Sequence, residues 1–263
     1  MKHSMVAQRA AKMLPPILLA VLVVGLWQSG VFHRIFSLQE FTVAYPDAIA
    51  RAIGAEAEDL VRHMGYTFLE AAIGFAAGSS LGFIAAFILS EIPWARRGIL
   101  PVISGLAAMP IIALAPLMAL YFGLGIMSKV AVIVIMTFPP MAVTTFKGLT
   151  SVDPDLEDLM VSYAAGTKDV LFRLRLVWAL PYIFTGLKLN VTLSLIGAII
   201  AEFFAARSGL GFRMSYALDT FDMPVAWATM GLAALLGVAW YQLVAYVERR
   251  SIPWHVSMRG QAD

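Results

Sequence analysis

The chain has 263 residues, of which 60% are hydrophobic and 14% are charged, and its formal net charge is +2. A soluble globular domain carries charge on roughly a quarter of its residues, so this composition is that of a protein that resides in a lipid bilayer. The lack of cysteine excludes disulfide bonds. A net charge this small gives no reason to expect nucleic acid as a partner.

Uncharged runs predict the membrane spans, because about 20 apolar residues are needed to cross a hydrocarbon core roughly 30 Å thick. The run Ile99–Ser128 is longer than one crossing requires and contains Pro101, Pro110 and Pro116, so we expect this span to be broken or partly interfacial. The first run is too long for a signal peptide and predicts a retained helix. The sequence thus predicts one all-α, polytopic membrane domain over residues 1–263, with about six transmembrane helices near residues 14–32, 68–90, 99–121, 127–147, 181–204 and 223–247.

Lysine and arginine predict the orientation, because they concentrate in the cytoplasmic connections of membrane proteins. With the N-terminus inside, 12 of these residues lie on the cytoplasmic side and six on the other side. We therefore expect both termini in the cytoplasm. The same orientation places residues 33–65 and 203–222 outside the membrane. It places a cytoplasmic loop of residues 148–180, called here the charged segment, inside.

The charged segment begins with a predicted amphipathic helix. Asp153 followed by Pro154 is typical of a helix N-cap and first helical position. Acidic residues that suit the positive end of the helix dipole come next, and apolar residues then recur at helical spacing. The acidic residues are Asp155, Glu157 and Asp158, and the apolar face is formed by Leu156, Leu159, Met160 and Tyr163.

This helix is expected to end at Gly166, which suits a left-handed C-terminal conformation. A second, basic helix with Arg173 and Arg175 is expected to lead back into the membrane. Two interpretations of the charged segment remain open from the residues alone. Either it lies on the inner leaflet as an interfacial helix, or its apolar face fills a groove on a cytoplasmic partner protein.

Polar residues inside the spans are functional candidates, because a bilayer makes their burial costly. Glu70 and Lys188 lie near span ends, where an interfacial position also explains them. Glu202 has several open roles: lining an outer vestibule, pairing with Arg207, closing an outer gate, or a purely structural one. Asn190 and Ser194 share a helical face, and either line a polar pathway or bond between helices. The candidates for a translocation pathway are Ser104, Met109, Asn190, Ser194 and Glu202.

Three glycines of the second span, Gly74, Gly78 and Gly82, are spaced four residues apart. Small residues on one helical face allow two membrane helices to approach closely. We therefore expect this face to pack against a neighbouring helix.

The sequence gives little support for catalysis. The four histidines, His3, His33, His63 and His255, are not spaced as metal ligands. H-E-x-x-H does not occur, and no G-x-x-x-x-G-K-[ST] sequence provides an ATP site. These absences argue against an enzyme and against a bound metal or cofactor. An intramembrane enzyme and a free-standing channel are remote alternatives.

Several blocks of the sequence resemble one membrane-protein family, and they occur in its order. The blocks read TFLEAAIGFAAGSSLG, GLAAMPIIALAPLMALYFGLGIMSKVAVIVIMTFPPMAVTTFKGL and ALPYIFTGLKLNVTLSLIGAIIAEFFAARSGLGFRM. They are similar to the second, the third and fourth, and the fifth spans of permease subunits of type I ABC importers. The resemblance is to the nitrate, sulfonate and taurine branch of these binding-protein-dependent systems, and it implies the type I permease fold.

The resemblance also extends to the charged segment, although this chain departs from the family signature there. The family has E-A-A, then a glycine four residues after the second alanine, and a more distant I-x-L-P. Counting back from Pro181 places Asp158 at the signature glutamate, Ala164 at the glycine and Val177 at the first proline. An alternative register uses Gly166 as the glycine, but Met160 then replaces the acid.

In this family the charged segment seats in a cleft of an ATP-hydrolysing subunit, so the resemblance implies two ABC ATPase partners that carry ATP and Mg. It also implies a periplasmic or lipid-anchored solute-binding protein and a homodimer of permeases in the bacterial inner membrane, in contact with lipid. The residues that it assigns to ATPase coupling are Asp155, Glu157, Asp158, Leu159, Met160, Tyr163, Ala164, Gly166 and Arg173.

The resemblance suggests that the solute is an anion like a sulfonate, taurine or nitrate. Related members import thiamine-precursor pyrimidines or riboflavin-like heterocycles, which is the alternative. Outside the membrane, residues 33–65 and 203–222 are the expected contacts of the binding protein.

Overall fold

A computed structural model describes residues 2–37, 39 and 42–253, the side chains of residues 2–13 and 93–96 excepted, and these residues form helices without any strand. The first six helices are α1 (Lys2–Gln28), α2 (Val31–Ile35), α3 (Pro46–Ala55), α4 (Ala57–Glu91), α5 (Pro93–Leu106) and α6 (Ile111–Phe122). The others are α7 (Ile126–Leu149), α8 (Pro154–Ser162), α9 (Thr167–Asp169), α10 (Leu176–Ala205), α11 (Leu210–Asp219) and α12 (Met223–Ser251), with a π-helical segment at Val170–Arg175 between α9 and α10.

Within the part of the chain that the structure describes, four helical stretches are long and apolar enough to cross a membrane. They correspond to the predicted second, fourth, fifth and sixth spans, and two of them are longer than predicted. The second begins at Ala57 because the amphipathic residues before the apolar run continue the same helix. The fifth extends from Thr167 to Ala205, so the basic helix of the charged segment runs through Pro181 into the membrane span.

The predicted third span is broken, as its prolines indicated. Its two halves, Arg97–Leu106 and Ile111–Phe122, meet at an angle of 92°. Pro110 stands at the break with extended backbone angles and precedes the first residue of α6. A proline disfavours helical geometry in the residue before it, which explains why α5 does not continue through Met109.

The first predicted span is shorter than the other candidates. Its apolar part, Leu14–Gln28, does not reach 18 residues, so the count of six spans stays a prediction. The orientation also stays a prediction, and five of the charges that support it lie outside the described side chains: Lys2, Arg9, Lys12, Arg96 and Arg259.

The chain divides into two compact units. The first comprises Met1–Val61 and Met214–Gly231. In it, Gln28 and Asp47 exchange two hydrogen bonds of 3.0 Å each, which tie the end of α1 to the start of α3. The Trp27 and Trp227 rings meet edge to face with their centroids 5.6 Å apart.

The second unit comprises Arg62–Arg213 and Leu232–Asp263. Its core lies along α7 and α10, where Ile133, Val191 and Leu195 are buried together with Trp240 of α12. The glycine ridge of α4 faces α7, as the spacing predicted. A Cβ atom at Gly74 would lie 2.5 Å from Cβ of Ile133, and the same atom at Gly82 would lie 2.6 Å from the Phe138 carbonyl oxygen.

Replacing Gly78 with alanine is expected to destabilise this unit. The added methyl group would overlap Oγ1 of the buried Thr137 and approach the Val134 backbone to 3.1 Å, and overpacking of this kind costs about 1–3 kcal/mol. Thermal unfolding of the purified chain measures the effect. Gly65→Ala in the same helix is the matched control, because nothing lies within 4 Å of its added Cβ. Equal stability of the two variants would contradict the close packing of α4 on α7.

Candidate functional site

The predicted helix of the charged segment is present as α8. Asp153 is its N-cap and accepts a hydrogen bond of 3.0 Å from the Asp155 backbone N–H, while Pro154 takes the first helical position. Local capping chemistry therefore places this helix as the sequence predicted.

The apolar face of α8 is divided between two environments. Leu156 and Met160 are half-buried, whereas Leu159 and Tyr163 are 52% and 80% exposed. The acidic Asp155 and Asp158 are also exposed. Within the described chain, Leu159 and Tyr163 thus form an exposed apolar edge next to acidic side chains, called here the α8 edge.

The left-handed residue that ends α8 is Ala164, with φ 58°, and the prediction of Gly166 for this role is wrong. Gly166 has an extended backbone with φ −73° and ψ 163°, and it precedes α9. The chain turns one residue beyond Tyr163, before Gly166 is reached. Ala164 is the position that the preferred family register assigns to the signature glycine, and a left-handed conformation is the one that glycine favours.

Replacing Ala164 with glycine is expected to stabilise the chain by about 1 kcal/mol, because a left-handed backbone costs a residue with a Cβ atom roughly that much. The shift in melting temperature of the purified protein measures it. Ala165→Gly is the matched control: Ala165 does not have a positive φ, so glycine there only adds unfolded-state entropy and is expected to destabilise. A loss of stability in both variants would contradict the conclusion that the left-handed backbone at Ala164 is strained.

Arg175 joins the charged segment to two other helices. Its Nε and Nη2 atoms donate to the two carboxylate oxygens of Glu157 on α8 at 2.7 and 2.9 Å, and Nη1 donates to Glu91 at the end of α4 at 3.3 Å. We call these three side chains the Arg175 clamp. The hydrogen bonds from Arg175 lower the pKa of Glu157. The stabilisation from this carboxylate is therefore present at neutral pH and is lost as the pH falls through the lowered pKa.

Arg173, by contrast, pairs with Asp169 one turn earlier at 3.1 Å and is 79% exposed. Arg173 is therefore available on the surface of the segment.

Two candidates for the pathway, Asn190 and Ser194, are fully buried in the packing of the chain itself. The Asn190 amide donates to Ser79 Oγ at 2.9 Å and to the Thr137 carbonyl oxygen at 2.8 Å. Ser194 donates to the Val191 carbonyl oxygen in its own helix at 2.9 Å. Of the two roles left open, bonding between helices is the one that Asn190 performs in this conformation.

The other two candidates from the broken span, Ser104 and Met109, are exposed. Ser104 donates to the Leu100 carbonyl oxygen at 3.0 Å. Met109 lies at the break between α5 and α6 and contributes to a cavity of about 320 Å³. The wall of this cavity is apolar and includes Leu106, Met109, Ile111, Met136, Pro140 and Leu193.

Glu202 is 1% exposed and anchors the connection after α10. Its Oε2 accepts hydrogen bonds from Thr67 Oγ1 at 3.0 Å and from the Gly211 backbone N–H at 2.8 Å. No ion pair joins it to Arg207 within the described residues, so of the roles left open the pairing with Arg207 is not the one made in this conformation.

The stretch Gly209-Leu210-Gly211, which ends the connection and begins α11, is called here the GLG loop. Gly209 has φ 103° and donates to His63 Nδ1 at 3.0 Å, and Leu210 donates to Thr67 Oγ1 at 2.8 Å. A Cβ atom at Gly209 would overlap the Glu202 carboxyl group, and one at Gly211 would overlap the Ile199 carbonyl oxygen; glycine avoids both contacts. The loop thus needs its glycines because α10 packs against it.

Two lysines of the membrane helices are paired with carboxylates, the buried Lys129 of α7 and the partly buried Lys188 of α10. Lys129 Nζ lies 3.2 Å from Glu70 Oε1, and both side chains are less than 5% exposed. Lys188 Nζ lies 2.7 Å from a carboxylate oxygen of the buried Glu248. Glu70 therefore forms a structural ion pair with Lys129, and Lys188 forms one with Glu248. Neither Glu70 nor Lys188 is a solvated interfacial charge in the described chain.

Sequence reasoning did not identify Arg175 as a site residue, nor the partners of Glu70 and Lys188. Arg175 lies 18 residues from Glu157 and 84 from Glu91. Near Arg175 itself, the sequence shows only that this arginine lies close to the membrane end of a basic helix, which does not identify its partners.

Comparison with known proteins shows which protein family this helical chain is similar to. Residues 78–252 match the model of the family described as binding-protein-dependent transport system inner membrane component. A chain of the MetNI methionine ABC transporter in an inward-facing conformation has a similar fold, with a TM-score of 0.63 at 17% identity over 76% of this chain and 97% of that one.

Curated relatives match over much of their length. The formylaminopyrimidine transport permease protein ThiX of Halalkalibacterium halodurans is 29% identical over 94% of this chain and 98% of its own. The riboflavin transport system permease protein RibX of Chloroflexus aurantiacus is 30% identical over 92% of this chain and 90% of its own. The taurine transport system permease protein TauC of Escherichia coli is 30% identical over 76% of this chain and 70% of its own.

Proposed function

The chain belongs to the family of binding-protein-dependent transport system inner membrane components, and from that premise we propose how it couples to its partners and which solute it carries. It is a multi-pass membrane permease of a type I ABC importer, a transport subunit and not an enzyme. Membership of this family implies an ATPase and a solute-binding protein as partners.

The ATPase is proposed to dock on the α8 edge, Leu159 and Tyr163, with Asp155, Asp158 and Arg173 around it. The exposure of these two large apolar side chains supports the proposal, because hot spots of protein interfaces are apolar or aromatic anchors set in a polar rim. The acidic side chains argue against the alternative of a lipid surface, since an anionic inner leaflet attracts basic helices. Docking on this segment requires that it face the cytoplasm, with both termini on that side.

Two copies of the chain are proposed to enclose the pathway, with one ATPase bound to each. Asn190 and Ser194 bond inside the chain, so a pathway must use side chains that the single chain leaves accessible. The break between α5 and α6 provides such side chains in Ser104 and Met109. Unwound backbone at membrane depth is tolerated where it lines a cavity, which also supports a pathway at this break.

The solute is proposed to be an uncharged heterocycle related to pyrimidines. The observation that carries this proposal is that the buried Lys129 and the partly buried Lys188 are already paired with carboxylates. The cavity beside Met109 has an apolar wall, which suits a planar neutral ring and offers no compensation for a sulfonate. The formylaminopyrimidine and riboflavin permeases also match this chain over a larger share of its length than the taurine permease does.

A sulfonate or taurine-like anion is the second candidate. The identity of 30% to the taurine permease favours it. In that case the binding protein would hold the charge, and the anion would pass the permease beside Lys129 and Lys188 while both stay paired with carboxylates.

The experiment that tests the assembly is a pull-down of the tagged full-length chain from its own membranes, with mass spectrometry of the proteins that accompany it. We expect an ATPase at one copy per permease and a solute-binding protein. Recovery of the permease without an ATPase, under conditions that preserve other ABC transporters, would contradict the docking proposal.

The recovered binding protein then tests the solute. Its melting temperature is measured with a formylaminopyrimidine, riboflavin, taurine and an alkanesulfonate. Stabilisation by a heterocycle alone supports the proposed solute class, and stabilisation by taurine or the sulfonate alone replaces it with the second candidate.

A further inference from the structure

Two buried carboxyl groups that the coupling and transport proposals leave unused contact each other. Glu70 on α4 is 3% exposed and Glu202 on α10 is 1% exposed. Thr67, whose hydroxyl donates to Glu202, lies one turn before Glu70 on α4, so the two carboxyl groups are neighbours that interact directly.

The donors around this pair reach only two of its four oxygen atoms. Lys129 Nζ lies 3.2 Å from Glu70 Oε1, and Glu202 Oε2 accepts from Thr67 and Gly211. The remaining atoms, Glu70 Oε2 and Glu202 Oε1, are buried and have no donor in the described part of the chain. Ionised carboxylates only accept hydrogen bonds, so two of them cannot satisfy each other.

The balance of charge around the pair also shows that one positive charge is missing. Glu70 and Glu202 would together carry two negative charges if both were ionised, and Lys129 compensates one of them. His63 is a further titratable group of α4 at this region, and its Nδ1 accepts a hydrogen bond from Gly209, so that atom provides no positive charge. A buried uncompensated charge is strongly unfavourable.

We propose that the Glu70–Glu202 pair binds one proton, which Glu202 Oε1 carries and donates to Glu70 Oε2. Lys129 stabilises the ionised form of Glu70, which places the proton on its neighbour. The second oxygen of the protonated Glu202 remains free to accept from Thr67 and Gly211. One proton thus gives both buried oxygen atoms a hydrogen-bond partner and makes the cluster neutral with Lys129.

The bound proton links three parts of the fold. It connects α4 to α10, and the other oxygen of Glu202 holds the GLG loop through Gly211. Loss of the proton would place two ionised carboxylates in contact, so the proton stabilises the attachment of the GLG loop to these helices.

Infrared spectroscopy of the full-length chain in lipid nanodiscs at neutral pH tests the proposal. A protonated carboxylic acid has a carbonyl stretching band distinct from that of a carboxylate, and the band shifts in D₂O. We expect such a band in the wild type and its loss in Glu202→Gln. Glu248→Gln is the matched control, because Glu248 is buried but ion-paired with Lys188 and the band should persist. Absence of the band from the wild type, or its persistence in Glu202→Gln, overturns the proposal.

Thermal unfolding provides a second test. Glutamine resembles the protonated acid, since its amide donates to Glu70 while its oxygen accepts from Thr67 and Gly211. Glu202→Gln should therefore melt within a few degrees of the wild type, whereas Glu70→Gln leaves Lys129 without its partner and should melt well below it. Equal destabilisation by both variants would contradict the proposal that the Glu70–Glu202 pair binds a proton. A rise in the wild-type melting temperature with sodium over choline chloride would assign a metal cation to the pair and overturn the proposal. Neither test depends on transport.

Discussion

Replacing Leu159 with aspartate is expected to release the ATPase from the permease while the permease stays in the membrane. Leu159 is 52% exposed on the α8 edge and forms no part of the buried core of the described chain, so the fold does not depend on it. In the proposed complex the new carboxylate would be buried against an apolar groove. Loss of a central apolar anchor costs about 2 kcal/mol or more, which corresponds to roughly 30-fold weaker binding. The ratio of ATPase to permease after affinity purification measures it, and Tyr163→Asp is expected to have a similar effect.

Val161→Asp is the matched control for this experiment. Val161 lies on the same helix, is 63% exposed and points away from Leu159 on the helical wheel. The same charge is therefore introduced at an exposed apolar position outside the α8 edge. The control should retain the ATPase at the wild-type ratio. A Leu159→Asp permease that also retains it would show that the ATPase does not use this edge, and the interpretation of α8 as an interfacial helix would be favoured.

The parts of the fold that sequence analysis predicted are those that depend on neighbours along the chain. The apolar runs predicted four of the spanning helices, Pro110 indicated the break in the third span, and Asp153-Pro154 placed the start of α8. Each of these is a local effect of hydrophobic length, of proline geometry or of helix capping. The glycine spacing of α4 also predicted a packed face, although it did not identify α7 as the partner.

The contacts that the sequence did not predict join residues that are far apart in the chain. Glu202 was recognised as unusual, but its partners Thr67 and Gly211 come from α4 and the GLG loop. The burial of Glu70 with Lys129 follows from the packing of α4 against α7, which no local pattern encodes. The error at Gly166 has a different cause: glycine is the usual left-handed residue, and the backbone path of this turn requires that conformation two residues earlier, at Ala164.

These long-range contacts give the charged segment a connection to the membrane helices. α8 is fixed to the remainder of the second unit by the Arg175 clamp, and Arg175 itself lies at the last position of the π-helical segment before α10. π-helical turns are frequently found at functional sites. A displacement of α8 by the ATPase would therefore reach α10 and the end of α4 through one guanidinium group.

Replacing Arg175 with alanine is accordingly expected to reduce solute uptake by tenfold or more while the ATPase stays bound. The variant removes both hydrogen bonds to Glu157 and the contact with Glu91, but it leaves the α8 edge intact. Partly exposed ion pairs contribute only about 0–1 kcal/mol to stability, so the loss of uptake should exceed any loss of folded protein. Uptake into proteoliposomes, normalised to the ATP hydrolysed, measures the coupling.

Three further variants separate coupling from charge and from folding. Arg175→Lys keeps the positive charge but cannot bond both oxygens of Glu157 at once, so we expect an intermediate uptake. Lys168→Ala removes an exposed base from the same segment and should transport at the wild-type rate. Exchanging the partners in a Glu157→Arg, Arg175→Glu double variant restores the ion pair in reverse and should recover part of the uptake. If Arg175→Ala transports as well per ATP as Lys168→Ala does, the clamp does not transmit the motion of α8, and coupling must pass through the continuous backbone from α9 to α10.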